Sequence, residues 1–189
     1  MSKFFWFLPT AGPEVSALGE LLECDAEFLE TTEPVLSLGE GCFELDGAVN
    51  RRHRVKEVMG DVLPNHENAL VVSERFAKFL EENQVPDLQV LDVRIWQGRT
   101  PVDGYKLVHF TKHISGIDEE ESTLVYHEMD PSFVWQVDNL TFKQKKLQGA
   151  KIFKVRGLPQ HIFVSEEFSQ ALEAQSFSGF ALHDLSEVN

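Results

Sequence analysis

Two stretches decide the fold: ALVVSERFAKFL at residues 69–80 and HIFVSEEFSQAL at residues 161–172. They align without a gap at an offset of 92 residues, sharing Val-Ser-Glu-x-Phe and a Leu four residues after the Phe. Each opens on a short apolar run that reads as a strand. Ser73 and Ser165 then stand where a hydroxyl caps the exposed N–H groups of a first helical turn. Glu74 and Glu166 follow, where the helix dipole favours negative charge. Phe76, Phe79 and Leu80 fall at i, i+3 and i+4, one apolar stripe of a short helix. A nucleophile elbow would carry glycines two residues either side of the serine. Val71 and Arg75 flank Ser73, and Phe163 and Glu167 flank Ser165, so both serines read as structural helix caps.

Strands flank both copies. After the first, Leu88–Trp96 predicts a strand buried on both faces, Gly98–Gly104 a turn or loop, and Tyr105–Phe110 a further strand. After the second, Gly179 precedes a strand at Phe180–Leu182. Phe4–Leu8, ended by a turn around Pro9–Pro13, Cys42–Leu45, ended by a turn at Asp46–Gly47, and Ser132–Val137 complete the strand candidates, with Lys151–Val155. The prediction is an α+β fold with mixed or antiparallel sheets, a few short helices and two strand–helix–strand units. Duplication of a whole domain and convergence on one good strand-to-helix junction both fit the repeat. Residues 1–60 read as an acidic, β-rich N-terminal part, separate from or integral to an α+β domain at 61–189.

A chain of 189 residues buries roughly 70% of its unfolded surface on folding and needs no disulfide or metal staple. Fifteen Phe against two Tyr predict a Phe-rich core with few hydroxyls to satisfy. Cys24 and Cys42 form no disulfide framework and are expected reduced, in the cytoplasm. The apolar run after Lys3 is five residues long, shorter than the roughly 7–15 of a secretory signal. No stretch approaches the ~20 apolar residues of a membrane span.

The net charge is −14 and is unevenly placed. No Lys or Arg occurs between Phe4 and Asn50, a stretch that holds ten acids. Phosphates would be repelled, so nucleic acid and anionic membrane are poor partners, and a basic protein is a compatible one. The basic stretch Arg51–Lys56 is more economically paired with those acids than with nucleic acid.

No combination of residues reads as a catalytic site. His109 and His113 are four apart, but on a strand that spacing does not converge on a metal. Asp118, Glu119, Glu120 and Glu121 lack the loop glycine of a calcium site and read as a solvated acidic loop or a helix start capped by Asp118. Cys24 and Cys42 have acidic surroundings, which disfavour a thiolate. No catalytic residue, metal ligand or cofactor is expected. A hydrolase or nucleic-acid-modifying enzyme with scattered site residues, and a scaffold that binds peptides at a sheet edge, are the alternatives to a binding protein. A deep pocket lined by His109, His113 and Asp118 would favour the enzyme.

The order of several elements resembles a known family. Val71-Val72-Ser73-Glu74-Arg75-Phe76 is followed by a strand over Val90–Ile95, by Tyr105-Lys106-Leu107-Val108, and by Ile117-Asp118 with Ser122. Ile152-Phe153-Lys154-Val155-Arg156-Gly157, Val164-Ser165-Glu166 and Gly179-Phe180 complete the series. In this order and spacing the chain resembles, over residues 60–185, the eleventh immunity-protein family of bacterial polymorphic toxin systems, formerly a domain of unknown function. The resemblance implies a non-catalytic protein that binds and neutralises a cognate toxin in the cytoplasm of the producing cell, with a homodimer also compatible. A basic toxin would be steered to an acidic surface, for which Glu20, Glu23, Asp25, Glu27 and Glu30, with Asp118, Glu119, Glu120 and Glu121, are the candidate toxin-binding residues.

Overall fold

The structure, a computed structural model, describes residues 3–11, 16–39, 41–45 and 59–187. Pro13, the turn at Asp46–Gly47, the basic stretch Arg51–Lys56 and the acids Glu14, Glu40 and Asp46 lie outside them. In chain order the described strands are β1 (Phe4–Pro9), β2 (Leu18–Leu22), β3 (Cys42–Leu45), β4 (Val62–Leu63) and β5 (Leu70–Ser73). Helix α1 (Glu74–Glu82) follows, then β6 (Leu88–Asp92), β7 (Arg94–Gln97), β8 (Thr100–Val102), β9 (Tyr105–Phe110) and β10 (His113–Ile114). The chain continues through β11 (Thr123–Tyr126), β12 (Val134–Asn139), β13 (Ile152–Val155), β14 (Leu158–Ser165), α2 (Glu166–Ala174) and β15 (Phe180–Asp184). This is an α+β fold dominated by antiparallel and mixed sheets.

Two compact units share the chain. The first comprises Met1–Leu8, Lys112–Gln175 and Ala181–Asn189, and the second Pro9–Thr111 and Ser176–Phe180. The second unit holds two four-stranded sheets, ordered β2-β3-β7-β8 and β4-β5-β9-β6. The first holds a five-stranded sheet, β10-β13-β14-β1-β15, and the hairpin β11-β12.

The repeated element has the same surroundings in each unit. In the second unit β5, α1 and β6 follow one another, and β9 lies between β5 and β6, antiparallel to both. In the first, β14, α2 and β15 follow one another, and β1 lies between β14 and β15, antiparallel to β14. On its other side β5 pairs antiparallel with β4, as β14 does with β13. The inserted strand comes after the repeat in one unit and before it in the other. The two arrangements are therefore related by a circular shift of strand order.

Both helices are nine residues long and start the same way. The Ser73 Oγ accepts from the Phe76 amide at 3.2 Å, and the Ser165 Oγ from the Phe168 amide at 3.4 Å. Both serines have extended backbone, so the strand ends where the hydroxyl can reach the first turn. Such caps are each worth about 1 kcal/mol. Helix α1 buries Phe76, Ala77, Phe79 and Leu80 and packs on β5 and β9; α2 buries Phe168, Ser169 and Leu172 and packs on β14.

Each unit has its own core. Phe4, Phe142, Phe153 and Phe163 form an aromatic centre in the first unit, with Val134, Val137 and Leu147 around it. Leu18, Phe43, Leu63, Val71, Ile95 and Leu107 lead the aliphatic core of the second.

Two local expectations fail. Residues 88–96 are not one strand buried on both faces: β6 and β7 lie in different sheets, divided at Val93, and only Leu91 and Ile95 are buried. Strand β6 ends its sheet, so Val90 is left 47% exposed. The expected loop Gly98–Gly104 contains β8, which forms a tight hairpin with β7 through Gln97↔Thr100. Gly98, at φ +60°, makes that two-residue turn accessible without Cβ strain. Pro101 is tolerated because β8 ends its sheet, where a missing N–H breaks no ladder.

Candidate functional site

The acidic candidates fall into two groups, one in each unit. Glu20 sits on β2 in the second unit, and Glu23 follows it in a left-handed conformation at φ +58°. The Asp25 Oδ1 accepts from the Glu27 amide at 3.0 Å and caps a 3₁₀ turn, Ala26–Glu30. Leu29 is buried and anchors this turn, while Glu20, Glu23, Asp25, Glu27 and Glu30 are all exposed. One short segment thus holds five carboxylates in solvent. Two buried leucines, Leu21 and Leu29, and a capped turn fix its backbone.

Asp118, Glu119, Glu120 and Glu121 lie in the first unit, in a turn pinned at both ends. The Asp118 amide donates to the Thr141 carbonyl at 2.8 Å, and the Asp118 carbonyl accepts from the Ser122 amide at 2.9 Å. The Asn139 side-chain amide donates to the Glu121 carbonyl at 2.8 Å. Ile117 bridges Phe142 across the same base. Burial, and then the Glu119 carboxylate, raise the Tyr126 phenol above its ordinary value.

The histidines do not come together as a site. His109 is buried on β9 in the second unit, its Nε2 2.9 Å from the Glu33 carbonyl, while His113 lies on β10 in the first. Among the described residues no group of three or more His, Cys, Asp or Glu is placed to hold a metal ion. Cys24 and Cys42 are free thiols, and burial, then Asp25, raises the Cys24 thiol above its ordinary value. A groove of about 550 Å³ runs beside α1 and β6, lined by Ala77, Leu80, Leu88 and Val90 with Lys78 and Lys106. His109, His113 and Asp118 are not part of it.

A polar centre that the sequence reading did not single out is Asp61. Its carboxylate accepts from Arg75 Nε at 3.2 Å and Nη2 at 2.8 Å, from Ser73 Oγ at 2.8 Å and from the Ser178 amide at 3.1 Å. Arg75 also lies over the Phe177 ring, 4.4 Å from its centroid. The variable residue of the first repeat thereby ties α1 to the 176–180 loop. Burial alone would raise the Asp61 pKa, but the hydrogen bonds from Arg75, Ser73 and Ser178 outweigh it and hold the carboxyl below its ordinary value. A depressed carboxyl pKa stabilises the fold fully above the unfolded value of about 4 and loses that contribution as pH falls through the lower folded value. Asp61→Asn is expected to cost about 2–3 kcal/mol in urea unfolding at pH 7. The difference from wild type should shrink towards pH 2; an equal loss at both pH values would contradict this role.

The other missed feature is apolar. Trp135 and Met129 are 68% and 91% exposed, on and beside the β11–β12 hairpin. Its signal in the sequence was a run without cations: from His113 to Phe142 there is no Lys or Arg.

The described residues thus carry two groups of carboxylates, one in each unit, on turns held by their own hydrogen bonds. The chain belongs to the Imm11 immunity protein family, whose model matches residues 3–187. That span is longer than the residues 60–185 that carry the resemblance, and it takes in the acidic N-terminal stretch. No curated protein matches the chain. Among the described residues no helix is long and apolar enough to cross a membrane.

Proposed function

We propose that this chain is a non-catalytic immunity protein that acts in the cytoplasm, binding and neutralising a cognate toxin through an acidic surface. Membership of an immunity family supports the role. The observation that carries the electrostatic part is the exposed group Glu20, Glu23, Asp25, Glu27 and Glu30, in a stretch without a Lys or Arg from Phe4 to Asn50. A field of one sign raises the encounter rate with a basic partner, and salt screens it. Apolar contacts then set the lifetime of the complex.

The test is co-expression with the toxin domain encoded beside this chain's gene. The wild-type chain should restore growth; failure to do so, with the chain expressed and folded, removes the immunity reading. Reversing Glu20, Glu23 and Glu27 to Lys should lower the association rate by about tenfold at low salt and flatten its salt dependence. An unchanged rate discards the acidic group of the second unit as the steering surface.

A further inference from the structure

The β11–β12 hairpin and its loop concentrate exposed apolar surface. Of the seven large apolar side chains that stand exposed among the described residues, Val125, Tyr126, Met129 and Trp135 belong to this hairpin and its loop. Single exposed apolar residues are ordinary, but a cluster on one small element marks an interaction site.

The hairpin's inner side is committed to the core. Val134 and Val137 are buried with Phe142 and Phe163, and Leu124 packs against the same cluster. The outer side results from two irregularities of register. Leu124 pairs with Val137 and Thr123 with Asn139, leaving Asp138 over; Val125 pairs with Gln136 and Tyr126 with Val134, leaving Trp135 over. Each leftover residue is the extra member of a β-bulge, a device that re-aims a side chain. Here the bulges leave an indole and a carboxylate exposed on the same strand.

The loop that joins the strands is held by its own hydrogen bonds. The Asp130 carboxylate accepts from Ser132 N at 3.0 Å and Ser132 Oγ at 2.6 Å, and His127 Nδ1 accepts from the Met129 and Asp130 amides. The His127 ring lies 5.6 Å from Trp135. An apolar surface fixed in this way loses little conformational freedom when a partner covers it.

Charge selects the partner. The thirty residues from His113 to Phe142 carry seven carboxylates and no Lys or Arg. Asp138 stands exposed on the same strand as Trp135. A second copy would bring like charges face to face, and anionic lipid or nucleic acid would be repelled. The complementary surface is a basic protein face with an apolar pocket, and Trp and Tyr are the residue types that most often anchor such contacts.

We propose that this hairpin face is the docking surface for the toxin, with Trp135 seated in an apolar pocket of a basic face. The proposal rests on the immunity reading above and adds the place of contact. The test uses the full chain and the purified toxin domain encoded beside it. Trp135→Arg and Met129→Lys change exposed side chains, so each variant should unfold within about 0.5 kcal/mol of wild type. Trp135→Arg should weaken binding at least about 30-fold, the loss of a central anchor. Met129→Lys should weaken it about tenfold, and the indole emission of the wild type should shift to the blue on binding. Binding by wild type with both variants within twofold of it overturns the docking surface and leaves the immunity role standing. No binding and no protection by wild type removes the immunity role and the docking surface with it. Wild-type self-association that Trp135→Arg abolishes, with toxin binding intact, would assign the face to a second copy instead.

Discussion

Gly179→Ala is expected to destabilise the protein by about 3–5 kcal/mol in urea unfolding. Two costs add. Gly179 has φ +91°, where an L side chain costs roughly 1–2 kcal/mol. A Cβ placed there would also lie 1.9 Å from the Val62 carbonyl oxygen and 2.9 Å from its carbon. Both obstacles are backbone, so no rotamer change relieves them, and overpacking of this kind typically costs 1–3 kcal/mol. The segment cannot easily withdraw, because the Val62 amide donates to the Ser178 carbonyl at 3.0 Å and the Thr10 amide to the Gly179 carbonyl at 2.9 Å. Gly39→Ala supplies the comparison. Gly39 also has positive φ, at +57°, but nothing lies within 4 Å of its Cβ position, so only the conformational cost of about 1 kcal/mol applies. Equal losses at the two positions would show that the close approach to Val62 does not govern this loop.

Phe163→Ala should cost a similar amount, about 3–5 kcal/mol, for a different reason. Phe163 is fully buried on β14, its ring centroid 5.1 Å from that of Phe142 and 6.0 Å from that of Phe153. Phe4 meets both of those rings edge-on, at 5.6 and 5.7 Å. Truncation removes one member of a four-ring cluster and leaves a cavity that three rigid rings cannot collapse to fill. Phe163→Leu keeps most of the volume and should cost about 1–2 kcal/mol. The check is unfolding by denaturant with near-ultraviolet dichroism as the probe of aromatic packing. A loss below 1 kcal/mol for Phe163→Ala would mean that the cluster is loosely packed.

The fold class and the strand-to-helix junctions were legible because they are local. Serine, glutamate and the Phe stripe lie within a dozen residues, and that is the range over which caps and helical periodicity operate. The strand inserted beside each junction was not legible. Strand β9 joins its sheet from downstream and β1 joins its own from upstream, so no gapless alignment of the two halves can extend past the junctions. Residues 88–96 misled for a related reason. Alternation of apolar residues reports that a strand exists, and it does not report that Val93 divides two sheets.

The candidate site was legible only in its charge. Charge can be counted in a sequence: one acidic group stood out in a stretch without cations, the other as four consecutive acids. Trp135 was missed because its neighbours Val134 and Val137 make the segment read as ordinary core strand. Only the register of β11 against β12 shows that one residue in the run is extra and points elsewhere. Asp61 was missed because a lone aspartate before Val62-Leu63 carries no local pattern. Its partners come from residues 73, 75 and 178.

The position of β1 has a bearing on how the chain matures. Its partners Ile162 to Ser165 are made some 160 residues later, and β15 later still. During synthesis β1, an interior strand of this sheet and rich in Phe, is made well before its partner β14 and must wait unpaired until that strand has emerged. Contacts of such long separation form slowly, and exposed apolar segments of this kind are prone to associate wrongly in the interval. Ribosome-bound chains that stop short of Ile162–Ser165 would therefore lack the β1–β14 pairing, and this sheet would belong to finished chains, not nascent ones.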